Sequence, residues 1–316
     1  MNFVPSNSNL VNNDETGCRQ TNSFKTKAKR IVLIILLASR YKNSFYTKKH
    51  YLCNKNAMLI KNIIKPVNGI DIHCKLLLPD EENDNATWIV MLHEGLGSIP
   101  QWKQFPDKIF NAFHNPVLLY ERIGYGDTGS VKDVLPDNYF KVEAVEVLPL
   151  LLQAFHIRSF YLLGHSDGAT ISLLYASSKP IGLKAIIAIA PHVFIEEVTV
   201  SGVKQLSNDY QKGILGFFLT KYHHEKTDIL IQRWLQTWLH EPMLSWNMFD
   251  ELKKIEVPVL TIQGTQDEYG SIKQLQLIAQ HCPSPTQHII IENGHHTPHL
   301  EYESIVLYEM SRFIST

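Results

Sequence analysis

Seven short apolar runs, separated by segments with helical periodicity, constrain the fold more than any other feature of this sequence. Most of the runs are continuous rather than alternating, which is typical of strands covered on both faces. Strands that alternate with helices predict a largely parallel sheet. We therefore predict the α/β class, with a mostly parallel central sheet and helices on both faces. The runs occupy residues 69–78, 88–93, 116–122, 160–165, 184–190, 257–264 and 287–294.

One long interval, residues 191–256, interrupts this alternation. Connections within α/β units are usually much shorter, so the interval predicts an inserted helical cap. It contains Trp234 and Trp238 at i, i+4 spacing, and Trp246 further on. Two interpretations of these aromatic residues stay open. They pack the insertion onto the main domain, or some of them line a pocket.

The first 57 residues differ in charge from the rest of the chain. They hold ten Lys and Arg against two acidic residues, whereas residues 58–316 hold twenty against twenty-nine. The apolar run at 31–38 is too short for a bilayer, which needs about 20 residues. We interpret residues 1–57 as a basic, disordered extension and residues 58–316 as the folded domain. An organellar leader stays open as an alternative because the extension has few acids.

The composition of the chain favours a cytoplasmic protein that acts on a small molecule. The cysteines have no metal-type or redox-type spacing, and the acidic balance of residues 58–316 disfavours nucleic acid. The histidine pairs lack the spacing of a zinc protease, so we predict no metal and no cofactor. No stable membrane span is expected, and a homodimer stays open. The four cysteines are Cys18, Cys53, Cys74 and Cys282.

A five-residue connection, GHSDG, joins one predicted strand directly to a helix and has a serine at its centre. Ser166 therefore lies at the carboxyl end of a strand, where open α/β sheets bind their ligands. Gly164 and Gly168 leave room for a cramped backbone, and the N-terminus of the helix favours a developing oxyanion. These features predict that Ser166 is a nucleophile. His165, directly before it, is expected to pack beneath the turn.

A serine nucleophile needs a base and a group that orients the base. The segment VPVLTIQGTQDEYG leaves a predicted strand and supplies Asp267. The segment IIIENGHHTPHLE leaves the last strand and supplies His295 and His296. We predict the triad Ser166, Asp267 and His296, in that chain order. His295 stays open as the alternative base.

These motifs resemble the α/β-hydrolase superfamily over roughly residues 65–316. The order of the three residues, the elbow GHSDG, the acid turn GTQDEYG and the C-terminal GHHTPHLE all match its pattern. The resemblance implies the α/β-hydrolase fold, with a cap inserted after the sixth strand of that family. The final motif of the family, Gly-His with Glu five residues after the histidine, selects His296 because Glu301 lies five positions on. His295 then occupies the glycine position of that motif.

The resemblance also implies an oxyanion hole, formed by the backbone N–H groups of Gly95 and Asp167. The loop that carries Gly95 reads MLHEGLGSIPQW, with Glu94 where the family usually has glycine. Glu94 has two open roles. Its carboxylate disfavours negative charge near the hole, or it points away into a hydrogen-bond network. Arg122, in the segment ERIGYGDTGS, is expected to neutralise Glu94. The Asp167 side chain is expected either to shape the charge of the pocket or to form a surface hydrogen bond.

The predicted function is that of a serine hydrolase that cleaves a small-molecule carboxylic ester through an acyl-enzyme. A serine at the nucleophile position disfavours the epoxide-hydrolase and haloalkane-dehalogenase branches of the resemblance. The prolyl-peptidase branch usually has Trp after the serine, and Asp167 stands there. Two alternatives stay open. One is a carbon-carbon bond hydrolase, thioesterase or lactonase of the same fold, and the other is a non-catalytic sensor or scaffold.

Overall fold

The computed structural model describes residues 58–81, 83–129 and 138–315. The expectations for residues 1–57, a disordered extension or a leader, lie outside these residues. Eight strands form one sheet, in the order β1-β2-β4-β3-β5-β6-β7-β8. The strands are β1 Met58–Val67, β2 Ile70–Pro79, β3 Trp88–Leu92, β4 Val117–Tyr120, β5 Phe160–His165, β6 Leu183–Ile189, β7 Val259–Gly264 and β8 Thr286–Ile291.

The helices alternate with these strands over most of the described chain. Outside the interval between β6 and β7 they are α1 Phe105–Phe113, α2 Tyr139–Val142, α3 Leu148–Ala154, α4 Asp167–Ser177, α10 Lys273–His281, α11 Pro298–Glu301 and α12 Glu303–Ile314. Between β6 and β7 lie α5 Glu197–Gln211, α6 Ile214–His223, α7 Thr227–Leu239, α8 Glu241–Leu244 and α9 Phe249–Leu252. We call residues 191–256 the insertion. No helix among the described residues is long and apolar enough to cross a membrane.

Most of the sheet is parallel, as predicted. In sheet order, the strands β4, β3, β5, β6, β7 and β8 pair in parallel. Strand β2 pairs antiparallel with both β1 and β4. Parallel pairing brings the carboxyl ends of these strands to one edge, which is where the segments after β5, β7 and β8 begin.

The core lies on both faces of the sheet, which explains the continuous apolar runs. Neighbouring residues of β5 face opposite ways. Leu162 belongs to the cluster that includes α4, and Leu163 belongs to the cluster that includes α1 and α12. Both side chains are fully buried. The predicted fold class, with helices on both faces, is therefore confirmed.

The first strand, β1, is missing from the sequence prediction, so the number of predicted strands, seven, is wrong. Its sequence MLIKNIIKPV is largely exposed, because among the described strands β1 lies at the edge of the sheet and pairs with β2 alone. Lysine and asparagine interrupt its apolar residues, and charged residues are typical of exposed edge strands. Such a strand gives no continuous apolar run that would reveal it.

Candidate active site

Ser166 lies on a tight turn between β5 and α4, and its backbone has φ +53°. This left-handed conformation is strained for a residue with a side chain. Glycine is required on both sides of it. A Cβ at Gly164 would collide with the carbonyl group of Gly168, and a Cβ at Gly168 would collide with the carbonyl group of Leu92 on β3. The turn therefore needs the small residues that the sequence supplies.

The structure brings the three predicted triad residues into hydrogen-bond contact. His296 Nε2 lies 2.9 Å from Ser166 Oγ, and His296 Nδ1 lies 2.8 Å from Asp267 Oδ2. The carboxylate of Asp267 is itself held in place, since it accepts hydrogen bonds from Gln263 Nε2 at 2.6 Å and from the Tyr269 N–H at 2.8 Å. All three residues follow the ends of sheet strands. Ser166 and His296 are 130 positions apart in the chain.

The opposite charges of His296 and Asp267 stabilise each other. Burial opposes the charged form of His296, but the neighbouring Asp267 carboxylate outweighs burial and raises the pKa of His296 above 6.5. Burial likewise opposes the charge of Asp267, and the attraction of His296 outweighs it, so the pKa of Asp267 is lowered. Asp267 is therefore a carboxylate that stabilises an imidazolium at His296.

His295 does not contact Ser166. Its Nδ1 lies 2.8 Å from Glu268 Oε1, and its side chain is 55 % exposed. Glu301 holds this loop, because its carboxylate accepts hydrogen bonds from the His295 N–H at 2.9 Å and from Thr297 Oγ1 at 2.8 Å. The Glu of the C-terminal motif thus fixes the backbone that aims His296 at the serine.

His165 packs beneath the turn and also contacts His296. Its Nε2 lies 2.8 Å from the carbonyl oxygen of His296, to which it donates a hydrogen bond. Its Nδ1 lies 3.4 Å from Glu94 Oε2. The only sequence signal for this role is the position of His165 directly before the nucleophile.

Glu94 belongs to a hydrogen-bond network, which was one of its two open roles. Gln101 Nε2 donates to its Oε1 at 3.2 Å, and His165 lies beside its Oε2. Burial acts to raise the pKa of Glu94, but the hydrogen bond from His165 is the largest opposing cause, and the pKa is lowered to about 2. The carboxylate is therefore ionised throughout the neutral range.

Arg122 does not neutralise the Glu94 carboxylate, so that expectation is wrong. Its Nη1 lies 3.3 Å from Asp167 Oδ2, and its Nη2 donates to the carbonyl oxygens of Glu94 at 2.6 Å and Gly95 at 3.5 Å. The arginine points at the backbone of the loop because its partner charge is Asp167. One guanidinium group thus connects the two segments that carry the predicted oxyanion N–H groups.

The side chain of Asp167 is buried against Arg122, so the expectation of a surface hydrogen bond is wrong. It also accepts a hydrogen bond from Tyr139 Oη at 2.9 Å. Tyr139 Oη in turn accepts one from Trp238 Nε1 at 3.0 Å, which links Asp167 to the insertion. The sequence gives no signal for Tyr139. The Asp167 backbone begins α4, and the first N–H groups of a helix have no acceptor within it.

A cavity of about 170 Å³ opens beside Ser166 and is mainly apolar. One end of it contains Ser166, His296, Glu94 and Gly95. The insertion supplies most of the apolar wall, through Val203, Leu206, Leu215, Leu219, Trp234 and Trp238.

Both interpretations of the tryptophans hold, for different residues. Trp234 and Trp238 line the cavity, and Trp234 lies so close to Gly95 that a Cβ there would collide with its indole ring. Trp246 packs on Phe140, with ring centroids 5.4 Å apart. Spacing alone could not separate these roles, because all three residues lie in helical or turn segments of similar composition.

Comparison with known proteins identifies this architecture. The model of the α/β hydrolase fold family matches residues 87–224. A solved 2-hydroxy-6-oxo-6-phenylhexa-2,4-dienoate hydrolase from Rhodococcus sp. strain RHA1 superimposes with a TM-score of 0.66, at 13% identity, over 82% of this chain and 99% of that one. The chain therefore has the α/β-hydrolase fold.

Two further proteins are similar to parts of this chain. The enol-lactonase from Burkholderia xenovorans LB400 has a TM-score of 0.59 and 18% identity, over 79% of this chain and 98% of that one. A proline iminopeptidase from Heyndrickxia coagulans is 30% identical over 138 residues, which are 42% of this chain and 46% of that protein. The chain thus spans less than half the length of the curated relatives it matches. The family model includes the position of Ser166 but ends before Asp267 and His296.

Proposed function

We propose that this protein is a serine hydrolase that acts on a small-molecule carboxylic ester. The observation that carries the proposal is the 2.9 Å contact between His296 Nε2 and Ser166 Oγ at the mouth of an apolar cavity. A hydroxyl beside an oriented imidazole can be deprotonated as it attacks. The Asp267 carboxylate behind the imidazole stabilises the charge that this transfer creates.

Acyl transfer would proceed in two steps. Ser166 Oγ attacks the ester carbonyl while His296 Nε2 takes its proton, and the N–H groups of Gly95 and Asp167 bind the oxyanion. His296 then gives the proton to the leaving alcohol, which leaves an acyl-enzyme on Ser166. Water, deprotonated by His296, attacks that ester and releases the acid, so the serine regains its proton.

The size and polarity of the cavity favour a small apolar acyl group. An apolar cavity of about 150 Å³ accommodates a benzene molecule, so a space of about 170 Å³ fits an acyl group of similar size. Leu215, Leu219 and Val203 offer only hydrocarbon contacts to it. Thioesters, lactones and cleavable carbon-carbon bonds next to a carbonyl group are substrates that the same residues could serve.

Proline iminopeptidase activity is the second candidate, because several curated relatives carry that name. The sequence disfavours it, since Asp167 stands where that branch usually has Trp. A proline p-nitroanilide substrate measures this activity directly, beside the esters.

The decisive experiment compares wild type and Ser166→Ala on p-nitrophenyl esters of graded acyl length. We expect turnover with a preference for short acyl groups, loss of turnover in the variant, and fluorophosphonate labelling of wild type only. Ser178→Ala, at the C-terminal end of the same helix, is the matched control and should keep both activities. A wild-type protein that neither turns over an ester nor becomes labelled would be a non-catalytic sensor or scaffold. A cytoplasmic location, the absence of a nucleic-acid partner and a homodimer stay predictions.

A further inference from the structure

Four side chains with metal-ligating atoms meet outside the cavity, in a group that we call the His73 cluster. His73 lies on β2, Glu121 directly follows β4, and Asp127 lies in the turn after it. One ligand atom of each lies within 4.8 Å of the other two. The fourth member, His224, comes from the insertion, and its Nε2 lies 3.1 Å from Asp127 Oδ1.

The separations within the His73 cluster suit a tetrahedral metal site. Zn–N and Zn–O bonds of about 2.0–2.2 Å place neighbouring ligand atoms about 3.4 Å apart. His73 Nδ1 lies 3.1 Å from Glu121 Oε2 and 3.7 Å from Asp127 Oδ2. The second distance is too long for a hydrogen bond, yet it is close to the edge of a coordination tetrahedron.

The backbone around the His73 cluster holds its members in position. Glu121 is buried, and its two oxygens accept the N–H groups of Ile99 at 3.1 Å and Asp127 at 2.6 Å. Gly126 has φ +47°, and a Cβ there would collide with the Glu121 carboxyl group, so the turn closes tightly over it. Each carboxylate oxygen has a second lone pair, which leaves Glu121 able to bind a metal.

The charge of the His73 cluster also favours a dication. When both imidazoles are neutral, as metal ligation requires, the two carboxylates give the cluster a charge of −2. Lys226 is one cation nearby, and its ammonium group donates to the Thr128 carbonyl at 2.6 Å. The local charge is still −1 when Lys226 is included. Imidazole and carboxylate ligands together are typical of Zn²⁺ rather than Mg²⁺ or Ca²⁺.

We propose that His73, Glu121, Asp127 and His224 bind one zinc ion. The sequence predicts no metal because these residues lie in separate segments with no metal-type spacing, and only the fold brings them together. The His224 side chain is 54 % exposed, so its ring can turn toward the ion.

Zinc bound there would attach the insertion to the main domain near the cavity. The residue before His224 already makes such a contact. His223 Nδ1 accepts the Gly126 N–H at 3.0 Å, so its Nε2 donates to the Leu96 carbonyl at 3.0 Å. Leu96 directly follows Gly95, and a metal at the neighbouring residue would stiffen this connection. This site does not depend on the proposed esterase activity.

The test is a zinc titration of the full chain after treatment with a chelator, followed by calorimetry and by thermal unfolding. Wild type should bind one zinc ion tightly, and zinc should raise its melting temperature. Asp127→Asn and His224→Asn, both at exposed positions, should weaken that binding by at least about a hundredfold and about tenfold respectively. Mg²⁺ should have no such effect.

A matched control separates this site from other histidines of the chain. His295 and Glu268 also form an exposed pair, at 2.8 Å, but the pair offers two ligands only. His295→Asn should therefore bind zinc like wild type. The proposal would be overturned if wild type and Asp127→Asn bound zinc with equal affinity. It would also be overturned if His295→Asn lost as much zinc affinity as Asp127→Asn. Cobalt substitution adds a spectroscopic check, since four-coordinate Co²⁺ should give strong visible absorption in wild type and not in Asp127→Asn.

Discussion

The two sides of the cavity at Ser166 come from different parts of the chain and differ in chemistry. The carboxyl edge of the sheet contributes Ser166 and His296, and Asp267 lies behind His296, where the Tyr269 N–H holds its carboxylate. The insertion contributes apolar side chains such as Leu215 and Leu219. If the proposed function is right, substitutions on the sheet side should change the rate for every substrate. Substitutions in the insertion should instead change which substrate is preferred.

Replacement of the base should have the largest effect on the sheet side. We expect His296→Gln to lower kcat by about 10⁵-fold or more, because no other described group contacts Ser166 Oγ as a base. His295→Gln is the control and should stay within a few-fold of wild type. Loss of activity only in the His295 variant would show that the base is wrongly assigned.

Asp267→Asn should lower kcat by about 10⁴-fold, because His296 then loses the carboxylate that orients and stabilises it. The pH profile gives a second measurement. The base must be neutral, and Asp267 raises the pKa of His296. The wild-type kcat/KM should therefore rise with pH through a value above 6.5. In Asp267→Asn this rise should move to lower pH, since burial alone lowers the pKa of a histidine. An unmoved profile would mean that another group controls it.

Arg122→Lys tests the connection between the two oxyanion segments. Lysine keeps the charge but cannot reach Asp167 and the two loop carbonyls at once, so kcat should fall about a hundredfold with little change in KM. Thermal unfolding should be measured alongside, because the arginine is buried. A variant that is folded and fully active would show that the connection does not position the oxyanion hole.

Leu219→Ala tests the insertion side and should have the smallest effect on rate. The space it adds should shift the preference toward longer acyl groups by about tenfold, as one or two more methylenes become buried. Leu252→Ala is the matched control, since Leu252 is a buried leucine of the insertion away from the cavity. The same shift in both variants would indicate that the packing of the insertion has loosened in general, and that Leu219 is not a specific wall of the acyl site.

Local sequence determined much of the sheet side. The sequence predicts Ser166 as a nucleophile because two glycines and a change from strand to helix periodicity surround it. Both signals reflect backbone geometry over a few residues. Asp267 and His296 were recognisable because parallel strands end at one edge, so residues just after different strands become neighbours. The edge strand β1 escaped recognition because six of its ten residues are exposed, and lysine and asparagine break its apolar residues into short groups.

What the sequence alone determined is the set of elements and the positions at their ends, because apolar periodicity and turn chemistry act over short stretches. Only the tertiary structure decided that Arg122 pairs with Asp167 rather than Glu94, that Trp238 reaches Asp167 through Tyr139, and that Asp127 lies beside both His73 and His224. Each of these contacts joins segments that are distant in the chain. Their partners are chosen by burial and by distance in space, and no spacing along the sequence carries that information.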